Sequence, residues 1–414
     1  MKDIKRHKEE IERLAITKTE SGTRIMKTNS GNRIEAYFDN SATTPVYPEV
    51  RDLVVRLMEE DYGNPSSLHL KGVEAARYVT DAREKMARLM KVMPKEIVFT
   101  SGGTESNNMA LIGGALANRR AGNKIITTEV EHASVGSPVS FLEDMGFEVV
   151  RIGVDSKGVI NVDELVDAVD DNTIIVSVMY VNNEIGSVMP VQDIAKRIKE
   201  KNPAVLFHVD AIQAFGKYVI YPGRMGIDMM SVSSHKFHGP KGVGALYIRD
   251  RVKVKPVIYG GGQQNGMRSG TENVPGIAGM ALAAEMTYRD LDEKVRHMRE
   301  VKQHLIDELT GIEEVYSNSG DAPHIASITF KGVRSEVMLH ALEERGIYVS
   351  SGSACSSNKH STSGTLKAIG LPPEKLESTL RFSFSPENTI EQVDYAVQCC
   401  KELLPVLRRY VRKK

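Results

Sequence analysis

From Tyr37 onward, apolar runs of strand length alternate with amphipathic stretches of helix length, and no other feature constrains the fold of this chain as strongly. Strands buried on both faces read as continuous β-branched runs, and neighbouring parallel strands need a crossover helix between them. The pattern therefore predicts βαβ units around a mainly parallel sheet. Candidate strands are Glu96–Thr100, Lys124–Thr128, Thr173–Val181, Val205–Val209, Asp228–Val232 and Gly244–Ile248. Helical stretches fall between them, including Gly72–Met90, Val162–Val169 and Val191–Glu200, and most stop at Gly, Asn or Pro. One long helical pattern from Ile277 to about Leu309 leads into a region of different texture. There Ala326–Lys331, Tyr348–Ser350 and Leu380–Ser385 are strand candidates among helices. The fold class is α/β, with a large domain over residues 49–276 and a smaller one built from 36–48 and 277–414. Residues 1–35 are charged, carry the turn clusters Ser21-Gly-Thr and Asn29-Ser-Gly-Asn, and show only a weak helical pattern. They read as an appended arm outside the catalytic core.

Bulk properties exclude several classes. A chain of 414 residues has room for two or three domains and a buried site. Its 54 basic and 54 acidic residues balance, so no global field draws it to nucleic acid or an anionic membrane. The basic tail Leu407–Lys414 suits a helix end with solvated cations better than a nucleic-acid site. Three cysteines, at 355, 399 and 400, cannot build a disulfide framework, which points to a reducing cytoplasm. The start, MKDIKRHKEEIERLA, interrupts every apolar run with charge, unlike a signal peptide. No stretch reaches the ~18–20 apolar residues of a membrane span, so no membrane partner is expected.

Several strand ends carry residues suited to chemistry. Ser231-Val-Ser-Ser-His-Lys236-Phe-His-Gly-Pro-Lys-Gly242 places Lys236 at the mouth of the sheet, where α/β proteins bind ligands. An amine there can form a Schiff base with an aldehyde cofactor, and Ser233 and His235 can donate to a phosphate, although the segment alone suits a solvated basic turn better. His235 and His238 lack a carboxylate partner and make a poor metal site, so no metal is expected. The Thr100–Asn108 segment runs from a strand through two glycines into a helix, the form of a phosphate cradle to which Thr104 adds a hydroxyl. It equally suits an ordinary capped turn. Asp210 ends an apolar strand and can pair with a protonated pyridine nitrogen or serve as an N-cap. It precedes Lys236 by 26 residues, enough for a helix and a strand to return to the same sheet edge. Asn183 and His132 follow two further strands, where a histidine can stack on a planar cofactor and move protons, or simply line a loop.

The motifs Tyr37-Phe-Asp-Asn-Ser-Ala-Thr-Thr-Pro45, Thr100–Asn108, Val181-Asn-Asn-Glu-Ile-Gly186, His208-Val-Asp-Ala, Ser233-Ser-His-Lys236 and Met267-Arg-Ser-Gly-Thr271 occur in that order. Together they resemble the cysteine desulfurases of the class-V aminotransferase family, of the NifS/IscS type. The resemblance implies a pyridoxal 5'-phosphate-dependent transferase of fold type I, whose large domain holds a mainly parallel seven-stranded sheet beside a smaller α+β domain, working as a homodimer. It implies Lys236 as the Schiff-base lysine, Asp210 as the pyridine-nitrogen partner, and His132 as the ring-stacking, proton-handling residue. Gln213 and Asn183 would lie near the ring hydroxyl, with Asn183 also near substrate. Thr104, Ser233 and His235 would bind the phosphate beside Gly103, and Thr271 would reach the neighbouring subunit's phosphate. Arg381 resembles the arginine that grips the substrate carboxylate, a task suited to a guanidinium fork.

Cys355 selects the activity. It sits in the Ser- and Gly-rich stretch Val349–Gly364, beside Lys359 and His360, which can favour a thiolate. The expected reaction converts L-cysteine to L-alanine and leaves a persulfide on Cys355 for an iron–sulfur scaffold or a tRNA-thiolation enzyme. A selenocysteine lyase or an aminotransferase on the same frame is the alternative, but transamination needs no thiol. Cys399 and Cys400 fall in a helical stretch and read as core.

Overall fold

Seven strands form the sheet that carries the sites singled out above: β1 (Ile97–Thr100), β2 (Lys124–Thr128), β3 (Glu148–Ile152), β4 (Thr173–Met179), β5 (Leu206–Asp210), β6 (Met229–Ser233) and β7 (Gly244–Ile248). Their order across the sheet is β1-β7-β6-β5-β4-β2-β3. All pairs from β6 to β3 are parallel, and β7 runs antiparallel to both β1 and β6. The computed structural model describes residues 16–18, 24–28, 31–351 and 363–409.

The expected seven-stranded, mainly parallel sheet is present, and its chemistry follows from burial. Every residue of β4 is buried, as are those of β2 and β6, which explains their unbroken apolar and small-residue runs. β3 has no counterpart among the candidate strands. It is the sheet edge, with Glu148 and Arg151 exposed, so its alternation is too weak to stand out from a loop. After β3 the chain returns to the other side of β2 to form β4, so strand order reverses between β2 and β4. In parallel sheets the crevice above such a point is where ligands bind.

Two compact units make up the chain: Thr43–Asn183 with Ser187–Leu291, and the described residues up to Ala42 with Glu184–Gly186 and those from Asp292 on. The long helical pattern is divided between them. Val274–Tyr288 packs on the helices Pro48–Glu59 and Leu70–Met90 of the larger unit, whereas the helix Leu291–Thr310 belongs to the smaller one from Asp292 on. The break falls at Asp290, whose φ of 54° is left-handed, a conformation short polar side chains tolerate. Asp292 and Glu293 in the first turn of the second helix are the start signal that marks it in the sequence.

In the smaller unit an antiparallel sheet runs Val315–Ser317, Ile325–Phe330, Thr379–Ser383, Ser350–Ser351. Phe38, Phe330, Phe382 and Phe384 pack there with Leu305 of one helix and Val393 and Cys400 of another. Cys399 and Cys400 are both core residues, as expected, and burial raises both thiols, Cys400 the more strongly. The segment read as an arm contributes strands: Ile16–Lys18, Arg24–Thr28 and Gly31–Tyr37 form an antiparallel ribbon, and the last pairs in parallel with Ile347–Tyr348. Among the described residues no helix is long and apolar enough to cross a membrane.

Ile175 of β4 is fully buried among Leu111, Ile125, Val135 and Phe147. Ile175→Ala should cost about 2–5 kcal/mol by urea unfolding; a loss well under about 1 kcal/mol would show that this layer is not packed as described.

Candidate active site

The carboxyl ends of β2, β5 and β6 deliver His132, Asp210 and Lys236 to one edge of the sheet. Asp210 is the last residue of β5 and is 5% exposed. Its Oδ1 accepts from Ile212 N–H at 3.0 Å, and its Oδ2 accepts from Asn107 Nδ2 at 2.8 Å. Both donors are neutral, and Asp210 forms no ion pair among the described residues. Burial pushes its carboxyl above the usual range, against the pull of the Ile212 N–H, the Asn107 amide and the charges of His132 and Lys236.

His132 caps the helix Ala133–Asp144, with Nδ1 accepting from Ser134 N–H at 3.1 Å and lying 2.8 Å from Ser134 Oγ. Ser134 Oγ in turn accepts from Asn107 Nδ2 at 2.9 Å. One amide nitrogen thus ties the carboxylate to the imidazole through a serine. With both Ser134 donors on Nδ1, the neutral ring carries its hydrogen at Nε2. Burial lowers the His132 pKa, with Lys236 acting in the same direction and Asp210 against it, so the ring is held neutral near pH 7. Thr104, Asn108, His132, Ser134 and Phe141 line one cavity of about 540 Å³, large enough for a cofactor-sized ligand.

Lys236 ends the single turn Ser234–Lys236 directly after β6. Its carbonyl accepts from Lys217 Nζ at 2.6 Å. Lys217 is buried, and burial together with the Lys236 charge brings its amine down to about 7. Beside Lys236, the His235 carbonyl accepts from Thr44 N–H at 2.9 Å and Thr44 Oγ1 at 3.0 Å. Burial, Lys236 and Lys241 take the His235 ring down to about 4. His238 is absorbed by packing: it stacks on Tyr47 at 4.3 Å, and its Nδ1 lies 2.9 Å from the Pro45 carbonyl.

The cradle after β1 needs its glycines. Gly102 has φ 152° and ψ −176°, a region open essentially to glycine. A Cβ on Gly103 would lie 2.1 Å from Ile212 Cδ1, and one on Gly102 would lie 3.8 Å from Ser233 Oγ. The Gly102–Gly103 turn therefore sits against the ends of β5 and β6, with Ser233 buried beside it and Thr104 exposed. Glu105 anchors the cradle at both sides, accepting from Ser101 N–H at 2.8 Å and pairing with Arg268 at 2.9 Å. That ion pair brings the Met267–Thr271 motif to the cradle, where Thr271 is exposed.

Gln213 is buried in the turn after β5, and Asn183 is half-buried after β4. Arg381 belongs to the smaller unit, on the strand Thr379–Ser383, where it donates to Asp39 at 2.8 Å. Cys355, with Lys359 and His360, lies outside the described residues. Ser134 and Lys217 fall in none of the motifs, and Asn107 lies within the Thr100–Asn108 motif without a role of its own there. Asn107 and Ser134 lie one and two positions from residues that were noted, but only the fold shows that they join Asp210 to His132. His208, noted in the sequence only as the start of the His208-Val-Asp-Ala motif, has a ring that bridges Ser177 Oγ of β4 at 2.8 Å and Ser231 Oγ of β6 at 3.1 Å, and burial takes it down to about 3. It forms a neutral polar rung on the strand face that also carries Asp210.

A carboxylate buried among neutral donors, a neutral imidazole, a glycine turn into a helix and a strand-end lysine gather at one sheet edge, as in a pyridoxal-phosphate enzyme of fold type I. Residues 36–396 match the family model described as aminotransferase class-V. The chain is 41% identical over 378 residues to the cysteine desulfurase IscS of Dictyoglomus turgidum, covering 90% of this chain and 95% of the relative. A solved NifS-like protein superposes with a TM-score of 0.86 at 39% identity, covering 90% of this chain and all of that one. A solved SspA, in complex with cysteine, gives a TM-score of 0.76 at 34% identity, covering 86% of this chain and 100% of that one. The chain belongs to the class-V aminotransferase family, in its cysteine desulfurase branch.

Gly102→Ala should destabilise the chain by about 1–3 kcal/mol, because alanine strains at that φ and ψ. Thermal unfolding checks this, and an unchanged Tm would mean that the turn does not adopt the conformation described.

Proposed function

We propose that this chain removes sulfur from L-cysteine with pyridoxal phosphate bound at the edge of the seven-stranded sheet, and passes the sulfur through a Cys355 persulfide to a protein acceptor. The observation that carries this reading is the Asp210 carboxyl, buried at a strand end with a neutral hydrogen-bond donor on each oxygen. A buried anion with only neutral donors is costly, and a protonated pyridine nitrogen is the cation that would offset it. When bound, the cofactor supplies an aldehyde for the substrate amine and a cationic ring that accepts the electron pair left at Cα.

The remaining chemistry falls to side chains. Lys236 would hold the cofactor covalently and, once displaced, move the Cα proton. His132 would stack on the ring and present Nε2 as its proton-bearing atom. Gly103, which makes room for Ile212, would present its backbone to the phosphate, and Thr104, Ser233 and the neutral His235 would bind it. Gln213 and Asn183 would contact the ring hydroxyl, with Asn183 also touching substrate. Arg381, its plane fixed by Asp39, would take the substrate carboxylate. Thr271 would complete the phosphate site of a second copy, making the working form a homodimer.

In the sulfur step the Cys355 thiolate attacks the substrate sulfur. The carbon–sulfur bond breaks with its electrons kept by carbon, a proton adds there, and alanine leaves. L-cysteine plus the Cys355 thiol thus become L-alanine plus the Cys355 persulfide, with no external oxidant. An iron–sulfur scaffold protein or a tRNA-thiolation enzyme would take the sulfur in the reducing cytoplasm. The Cys355 thiol favours this over a transamination on the same frame.

Purified protein given L-cysteine and a reductant should release sulfide and alanine in equal amounts. Cys355→Ser should lower sulfide release by several orders of magnitude, as removal of a catalytic nucleophile does; equal release would rule out Cys355 as the acceptor. Lys236→Ala should lack the absorbance of covalently attached cofactor, and retention of that band would exclude Lys236 as the attachment point.

A further inference from the structure

Glu131 precedes His132 and takes no part in the contacts assigned above. The ladder between β2 and β4 runs from the Lys124–Thr173 pair to the Ile126–Val176 pair. Beyond it, a side chain joins the strand ends: Glu131 Oε1 accepts from Thr128 Oγ1 at 2.8 Å and from Met179 N–H at 2.8 Å. Met179 is the β4 residue paired with Asp210 of β5. The Glu131 carboxyl therefore stands at the point where strand order reverses, one strand from the buried Asp210. Both of its donors feed one oxygen. Oε2 is sealed from solvent and has no hydrogen-bond partner among the described residues.

Two buried carboxyl groups close enough for the charge on one to raise the other do not both ionise near neutral pH, and the one with more hydrogen-bond donors keeps the charge. Asp210 has a donor on each oxygen and is faced by His132 and Lys236. An ionised Glu131 would leave Oε2 bare, whereas a proton there turns the unpartnered atom into a neutral hydroxyl, a smaller cost. We propose that Glu131 is a positioning residue for the cofactor ring, holding a proton on Oε2 so that Asp210 is the single carboxylate charge presented to the pyridine nitrogen. The role assigned to Asp210 rests on the function proposed above.

The electrostatics agree. Burial, with the Asp210 charge adding to it, pushes Glu131 up to about 8, against the Met179 N–H and the Thr128 hydroxyl. The other titratable neighbours add no competing anion near neutral pH: His132 on the adjoining helix is neutral, Lys236 acts through Asp210 and His132, and burial keeps Tyr180 after β4 un-ionised. The sign of the linkage follows. An acid raised from 4.5 to about 8 on folding gives its full stabilisation below 4.5 and loses it as pH climbs through about 8.

The test uses the full chain, with and without added pyridoxal phosphate. In wild type labelled with ¹³C-glutamate, infrared difference spectra should show an un-ionised carboxylic acid band at pH 7 that disappears as pH passes about 8. The band should be absent from Glu131→Gln. The Tm of wild type should fall more steeply than that of Glu131→Gln between pH 5 and 8, since the amide does not titrate. With cofactor bound, the ring absorbance should show a step near pH 8 that the variant lacks. No protonated band in wild type would overturn the proposal, even if the variant failed to fold, and so would equal pH slopes of Tm. Failure of the proposed function would appear separately, as a wild-type chain that binds no pyridoxal phosphate, because the infrared and stability results are read without it.

Discussion

The site depends on a carboxylate held out of water with no ion-pair partner among the described residues. Asp210 is buried at the end of a parallel strand, and its two hydrogen bonds come from a backbone N–H and an amide. Such bonds stabilise the charge, but they do not neutralise it. The surroundings follow from that constraint. His132 is kept neutral, Lys217 sits near its titration point, His208 is a neutral rung beneath, and Lys236 supplies the nearby positive field.

The sheet makes this arrangement affordable. Parallel strands end together at one edge, so β2, β4, β5 and β6 bring residues far apart in sequence to one rim, with apolar strand interiors packed below. Fully buried β4 contributes stability at every position, while the polar residues gather where the ladder stops and backbone groups are available to them. The turn after β1 is locked by Glu105 between Ser101 and Arg268, so the end proposed for the phosphate is held by contacts separate from those around Asp210.

Much of this was legible in the sequence, and the omissions have physical causes. β-branched runs identified six of the seven sheet strands because burial on both faces leaves a strong signal. The edge strand Glu148–Ile152 mixes charge with valine and leaves little. The helical pattern continued across Asp290 because apolar spacing resumes one residue later, although a left-handed residue breaks the backbone there. Strands in residues 16–37 escaped notice because their partners are one another and Ile347–Tyr348, more than 300 positions away in sequence. In the site, charged and nucleophilic residues at strand ends were visible as candidates. Asn107, Ser134 and Lys217 were not, since an amide, a hydroxyl and one more lysine acquire their roles only from neighbours that the fold supplies.

The central claim is that Asp210 is a buried anion suited to a protonated pyridine. The most direct measurement titrates the Asp210→Asn apoprotein with pyridoxal phosphate and follows its Tm in parallel. The account predicts binding weakened by about tenfold or more, as expected for loss of a buried charged partner, with apoprotein stability unchanged or raised because the uncompensated charge is gone. Wild-type affinity in that variant would contradict it.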